Sequence, residues 1–170
     1  MFNGCSGLTS IGDLSNWNVS KVKNMTYMFD SCRSLTSIGD LSNWNVSNVT
    51  NMANMFNGCS RLSNIGNLSN WNVSNVTNTE NVNDIHDMFN GCSSLTSINL
   101  SNWDMTNVTS VWGMFNGCEK IEEIYTPAKL PSGNLNIILP KRYKDANKPE
   151  ERNKLYNSIQ TGDNKFSKSV

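Results

Sequence analysis

The stretch "CRSLTSIGDLSNWNVSNVTNMANMFNGC", Cys32 to Cys59, carries its apolar side chains at a spacing that belongs to neither a helix nor a half-buried strand. They fall at Cys32, Leu35, Ile38, Leu41 and Trp44, then after a shift at Val46, Val49, Met52, Met55 and Cys59, with Phe56 beside Met55. An amphipathic helix repeats every 3.6 residues and a strand every two. A step of three with short turns describes a chain that winds around a core, one residue of each short side inward and two outward. Helix longer than a turn or two is not expected in it.

Outward from this stretch, the segment recurs. Aligned on the Met-Phe pair, units start at Met1, Met28, Met55 and Met88, with a truncated fifth at Met114, and each is headed by "MFNGC" or "MFDSC". The long interval between Met55 and Met88 holds an insertion, which places a surface loop at Thr79 to Asp84, because insertions in repeat arrays map to loops on one face. The short interval before Met114 reflects one deletion, "SINLSNW" in place of "SIGDLSNW". A lone coil of this size cannot bury its apolar face, so the units must stack. Asn fills 23 of the first 118 positions, and its side chain bonds readily to nearby backbone at corners.

The pattern decays after Cys118. Residues 1–118 carry four basic and seven acidic side chains and residues 119–170 carry ten and seven, so a neutral chain divides into halves of opposite charge. We read a repeat domain, 1–118, and a closing segment, 119–170. The closing segment contains three prolines within "EKIEEIYTPAKLPSGNLNIILPKRYKD", a Pro-Ser-Gly turn signal and a short apolar strand at Leu135 to Leu139. Beyond it, "NKPEERNKLYNSI" suits either a helix with Pro149 and two glutamates in its first turn, or the return strand of a hairpin pairing Tyr143 with Tyr156. The last eight residues are expected to fray.

Several classes of function are disfavoured. The first 118 residues offer only Lys21, Lys23, Arg33 and Arg61, too few and too scattered for a phosphate-binding surface, so no nucleic-acid partner is expected. No apolar run approaches the roughly 20 residues that span a bilayer, and no basic-then-apolar leader is present. Because Met1 already stands inside a repeat, the chain reads either as cytosolic or as a piece of a longer exported protein, and the second is preferred because a repeat array needs a terminal cap. There is one histidine, no glycine-rich phosphate loop, no H-E-x-x-H and no paired carboxylates, which argues against an enzyme and against a cofactor or metal.

Two columns of residues recur once per unit: Cys5, Cys32, Cys59, Cys92 and Cys118, and Trp17, Trp44, Trp71 and Trp103. The cysteines are an odd set of singletons without C-x-x-C pairs. Stacked about 4.8 Å apart with parallel side chains, they are poorly placed for disulfides and read as small buried hydrophobes. The tryptophans read as a core or corner ladder rather than a sugar-stacking platform. The places where the repeat breaks say more about function. Thr26, Ala53, His86 and Trp112 share one outward column, and Tyr27, Asn54, Asp87 and Gly113 share the next. His86, Asp87 and Trp112, beside the insertion, are the candidates for a contact surface, since exposed aromatics concentrate at binding sites. The competing reading folds Trp112 over the end of the array as part of the closing segment.

"LTSINLSNW", Leu95 to Trp103, reads L-x-x-I-x-L-x-x-W, close to the strand segment of leucine-rich repeats with Trp where Asn is usual. The whole unit, "MFNGCSSLTSINLSNWDMTNVTSVWG" and its sisters, resembles the BspA-like leucine-rich repeats of bacterial surface proteins over residues 1–118. That resemblance implies a right-handed leucine-rich-repeat solenoid of short parallel strands, turns and short helical turns, with four full coils, a partial fifth and a small C-terminal cap. It also favours the hairpin in the closing segment. For function it implies a non-catalytic cell-surface or secreted adhesion module, whose partner would be a protein or glycan of a host or neighbouring cell. A further end-to-end contact through the first coil is open. Two alternatives stand beside this reading: a structural spacer in a larger surface protein, and an accessory repeat region of an enzyme whose catalytic domain lies elsewhere.

Overall fold

In the computed structural model, which describes residues 1–76, 85–131, 137–145, 156–159 and 165–168, the step of three is a succession of reverse turns. The backbone N–H of Leu35 donates to the carbonyl of Cys32 at 3.1 Å, Trp44 to Leu41 at 3.0 Å, Val49 to Val46 at 2.9 Å, and Met55 to Met52 and Cys59 to Phe56 at 3.2 Å each. A bond from residue i+3 back to residue i brings those two side chains to the same side of the chain. The apolar residues three apart therefore all face one core. Leu35, Ile38, Leu41, Val49, Met52, Met55, Phe56 and Cys59 are fully buried.

Each unit is bonded to the next. Phe29 N–H donates to Met55 O at 2.9 Å, Phe56 to Met88 at 2.9 Å and Phe89 to Met114 at 3.0 Å, while on another side the direction reverses and Thr36 N–H donates to Thr9 O at 3.2 Å. The phenylalanines Phe2, Phe29, Phe56, Phe89 and Phe115 form a continuous column, with neighbouring ring centroids 5.5, 5.3, 5.8 and 5.7 Å apart and planes within 7° of parallel.

Short parallel strands were expected in every coil, yet among the described residues the first three units pair through single-residue parallel bridges, Ser10 with Ser37, Ser37 with Asn64 and, on another side, Asn24 with Asn51. The cause lies in the "IGDL" and "IGNL" segments. Gly12, Gly39 and Gly66 take φ of 76°, 77° and 74°, a left-handed conformation that ends an extended run after one residue. The fourth unit lacks this glycine, and there the bridge lengthens into a strand, β1, Ser97–Asn99. The expected short helical turns are replaced by the reverse turns described above; no helix occurs among the described residues.

The apolar step runs on past Cys118 through Ile121 and Ile124, both fully buried. Ile124 lies in β2, Glu123–Tyr125, which pairs parallel with β1 so that Ile124 stands opposite Ile98. Three further strands follow: β3, Ile137–Asp145; β4, Tyr156–Ile159; and β5, Lys165–Lys168. Together they make a five-stranded sheet in the order β1-β2-β5-β3-β4. β3 and β4 are antiparallel with Tyr143 opposite Tyr156, and β5 lies antiparallel to both β2 and β3, with Phe166 opposite Ile124 and Asp145.

Of the last eight residues, expected to fray, the described ones, Lys165–Lys168, form β5 along the edge of β2, and the others lie outside the described residues. The apolar strand read at Leu135 to Leu139 is strand over its described residues, from Ile137, and continues to Asp145; residues 135–136 lie outside the described residues. Of the segment read as helix or hairpin, Tyr156–Ile159 is strand, and residues 147–155 lie outside the described residues. The insertion loop at Thr79 to Asp84 also lies outside them.

Candidate contact surface

The recurring cysteines and tryptophans build the frame on which any surface must rest. The thiol of Cys32 donates to the carbonyl of Phe2 at 3.0 Å, Cys59 to Phe29 at 3.1 Å, Cys92 to Phe56 at 3.2 Å and Cys118 to Phe89 at 2.9 Å. A thiol is a weak donor, but here each one ties its coil to the coil before. All five cysteines are free. Burial pushes the thiols of Cys59 and Cys118 up to about 12 and that of Cys92 well above its ordinary value, so they stay neutral and unreactive.

The tryptophans behave alike. Nε1 of Trp44 donates to Leu14 O at 2.8 Å, Trp71 to Leu41 O at 2.9 Å and Trp103 to Leu68 O at 2.8 Å. Their rings stack at 6.1 and 6.4 Å. With no more than 2% of any of the three exposed, none has a face to offer a sugar.

Two members of these columns depart from the core role read for them. Cys5 is exposed, and Trp17 is 38% exposed and rests against Phe2 at 6.3 Å, tilted by 32°, rather than joining the tryptophan stack. The other members are sealed by a coil on each side. The described residues place no coil on the outer side of the first unit.

Of the three candidate contact residues, the structure brings His86 and Trp112 onto adjacent coils and turns Asp87 inward. Asp87 N–H donates to Trp112 O at 2.8 Å, and Asn54 N–H to His86 O at 3.0 Å. The column read as outward is graded: Ala53 is buried, His86 half-buried and Trp112 72% exposed. The next column is mixed as well: Tyr27 is 45% exposed, whereas Asn54 and Asp87 are buried. Tyr27, Asn54, Asp87 and Gly113 all take left-handed φ, of 56°, 57°, 52° and 68°. In that conformation the Asp87 carboxylate lies over Gly113 of the following coil, where a Cβ would collide with Asp87 Oδ1, so only glycine leaves the room.

Asp87 Oδ1 accepts from Asn90 Nδ2 at 2.7 Å, and in the preceding unit Asn54 Oδ1 accepts from Asn57 Nδ2 at 3.0 Å. With its oxygen so held, Asn54 presents Nδ2 to Nε2 of His86 at 2.9 Å. Nε2 is then the acceptor and the ring proton sits on Nδ1. That nitrogen is buried without a hydrogen-bond partner among the described residues.

Trp112 stands at the rim of an open cavity of about 200 Å³ that it shares with Gly113, Asn116, Ile138 and Leu139. Along β3, Ile137 and Leu139 are buried and Ile138 is 59% exposed, the alternation of a strand with one face inward. Ile138 is the residue the sequence reading missed. Its exposure was open to a period-two reading of "IIL", but its place beside Trp112 depends on how the closing segment folds back. The site offers apolar contact beside one side-chain amide, that of Asn116. Among the described residues no group of three or more His, Cys, Asp or Glu could hold a metal ion, and no helix is long and apolar enough to cross a membrane.

Comparison with known families agrees with this geometry. Residues 1–72 match the BspA type leucine rich repeat region, and residues 77–127 match the family described as Mycoplasma protein of unknown function, DUF285. The second match spans the insertion, the fourth unit, β1 and β2. Comparison with curated proteins and with solved structures found no match. The turn-by-turn stacking agrees with the family match over residues 1–72, which shows a BspA type leucine rich repeat region in that part of the chain.

Proposed function

We propose that the chain is a non-catalytic binding module of a cell-surface or secreted protein: a right-handed solenoid of four full coils and a fifth start, residues 1–118, closed by residues 119–170. Its partner is a protein or glycan of a host or neighbouring cell. One observation carries the reading. Trp112 and Ile138, the two most exposed large apolar side chains after Met1, flank the same cavity, on a stack whose other aromatic columns are almost wholly buried. Exposed aromatics set in a polar surround are the usual anchors of a binding site. His86, half-buried on the adjacent coil, borders this surface, and Asp87 supports it from within.

The test is a binding screen of the folded chain against matrix proteins and glycans, repeated with Trp112→Ala. The replacement should abolish or weaken the interaction by tenfold or more, on the order of the 2 kcal/mol of a hot-spot residue, and leave the urea midpoint nearly unchanged. A large stability loss would show that Trp112 serves the closing segment instead. Silence across the whole screen would favour a spacer.

A second contact is favoured by the opposite end of the stack. There Met1, Trp17, Val22 and Met25 line a cavity of about 300 Å³, and Met1 is 82% exposed. End-to-end association through this first coil predicts sedimentation that depends on concentration, and a monomer at every concentration would count against it.

A further inference from the structure

Four units begin with an identical pentapeptide, "MFNGC" at Met1, Met55, Met88 and Met114, and so repeat one reactive pair: Asn3-Gly4, Asn57-Gly58, Asn90-Gly91 and Asn116-Gly117. Asparagine is chemically labile, and most so before glycine, whose backbone nitrogen is unhindered by any side chain and can reach the asparagine side-chain carbonyl. The four glycines share one backbone conformation, with φ of 75°, 71°, 72° and 72°. Local sequence and local turn therefore do not distinguish the four sites.

Hydrogen bonding does distinguish them. At Asn57 and Asn90 the side-chain amide is held by the residue three before it, through Asn57 Nδ2 to Asn54 Oδ1 at 3.0 Å and Asn90 Nδ2 to Asp87 Oδ1 at 2.7 Å. The attacking nitrogen is held as well: Gly58 N–H donates to Asn90 O and Gly91 N–H to Asn116 O, both at 2.7 Å. At Asn116 neither restraint exists. The residue three before it is Gly113, which has no side chain, and the N–H of Gly117 has no partner among the described residues. Asn116 is also exposed and lines the open cavity beside Trp112, so water has access. Asn3 is intermediate, being exposed but with Gly4 N–H donated to Asp30 O at 2.8 Å.

We propose that Asn116 is a site of spontaneous deamidation in the folded protein, singled out from four identical motifs by the loss of these two restraints. The Gly117 nitrogen, giving its proton to water, attacks Cγ of Asn116. A carbon–nitrogen bond forms, the bond from Cγ to the side-chain nitrogen breaks, ammonia leaves and a succinimide remains. Water then opens the ring at one of its two carbonyls, giving aspartate or isoaspartate. Either product puts a carboxylate at the rim of the Trp112 and Ile138 cavity, and isoaspartate also lengthens the backbone at the turn.

The experiment is ageing of the full folded chain at mildly alkaline pH and physiological temperature, with peptide mapping by mass spectrometry to follow the amide-to-acid conversion and isoaspartate formation at each site. If each hydrogen bond has its usual net strength, each restraint slows the reaction by about fivefold, so Asn116 should convert some twentyfold faster than Asn57 and Asn90, with Asn3 between. In urea the four rates should converge, since the pentapeptides are the same. Asp87→Gly removes the anchor of Asn90 at a position whose left-handed φ glycine accepts, and it should speed conversion at Asn90 by about fivefold and leave Asn57 unchanged. Equal rates at Asn116, Asn57 and Asn90 in the folded wild-type chain would overturn the proposal without recourse to the variant. An unchanged Asn90 rate in a folded Asp87→Gly protein would remove the side-chain restraint from the explanation.

Discussion

The first repeat unit and the central ones are nearly one sequence in two surroundings. Cys5 and Cys59 both close an "MFNGC", and Trp17 and Trp71 both follow "LSN", yet Cys59 is fully buried and Cys5 exposed, and Trp71 is 1% exposed against 38% for Trp17. The turns are made alike in both: Trp17 N–H donates to Leu14 O and Trp71 N–H to Leu68 O, at 3.0 Å each. Local sequence decides the turn, and a coil on each face decides what the side chain contributes. In a stacked array stability is a sum of unit and interface terms. The same residue type therefore differs in worth according to the number of its neighbours.

The largest effect expected from this contrast is at the tryptophan column. Trp71→Ala should cost about 3–5 kcal/mol, as removal of a buried large aromatic does, whereas Trp17→Ala should cost less than about 1.5 kcal/mol because much of its ring already meets water. Urea unfolding of the two variants measures the difference, and equal losses would break the contrast.

The cysteine column sharpens it through pH. The folded-state thiols of Cys59 and Cys118 are raised by burial to about 12 from an ordinary 9.0. A group whose folded value is raised holds its proton longer when folded, so the stabilisation is complete below pH 9.0 and declines as pH rises toward about 12. The urea midpoint should fall on the alkaline side of pH 9.0. In the same samples a thiol reagent should label Cys5 at once and the other four only as fast as the array opens. Rapid labelling of Cys59 in the folded chain would contradict its burial.

The smallest effect belongs to a pair at the join between the repeats and the sheet, where burial contributes little. Lys129 Nζ lies 2.7 Å from Asp104 Oδ2, with side chains 66% and 34% exposed. Hydrogen bonds from Lys129 and Thr106 lower the Asp104 carboxyl to about 2 from 3.8. A depressed carboxylate favours the folded state above its ordinary value, and this contribution disappears as pH falls from 3.8 through about 2. Lys129→Met should therefore change the neutral-pH stability by less than about 1 kcal/mol, as exposed pairs do, and should flatten the acid limb of the stability curve. A steep acid limb that survives the substitution would assign it to other carboxylates.

The columns were legible because they are local. Residues three apart, such as Cys32 and Leu35 or Leu41 and Trp44, are joined by one turn hydrogen bond, so the period in the sequence is the period of the turns. The insertion and the "SINL" deletion were visible as breaks in that period, and the deletion marks the unit in which the described residues extend a bridge into a strand. Asp87 and Asn54 misled because spacing carries neither φ nor cover: both take the left-handed conformation that Asn and Asp adopt more readily than most residues, and both are buried, whereas Tyr27, with the same φ, is 45% exposed. Cys5 and Trp17 misled because burial was read from membership of a column, whereas burial requires a neighbour on both faces.

The contact surface divides along the same line. Trp112 stood out as a repeat position filled by the wrong kind of residue, but Ile138, its partner across the cavity, lies in a strand placed by pairing that no local rule encodes. Which residues turn, which face inward and how the units recur is written in the order of side chains, because each depends on bonds spanning three residues. Which columns are sealed, where β5 enters the sheet and which Asn-Gly pair is left unrestrained were decided by contacts between coils and strands far apart in sequence, because a hydrogen bond or a buried face exists only when both partners have arrived.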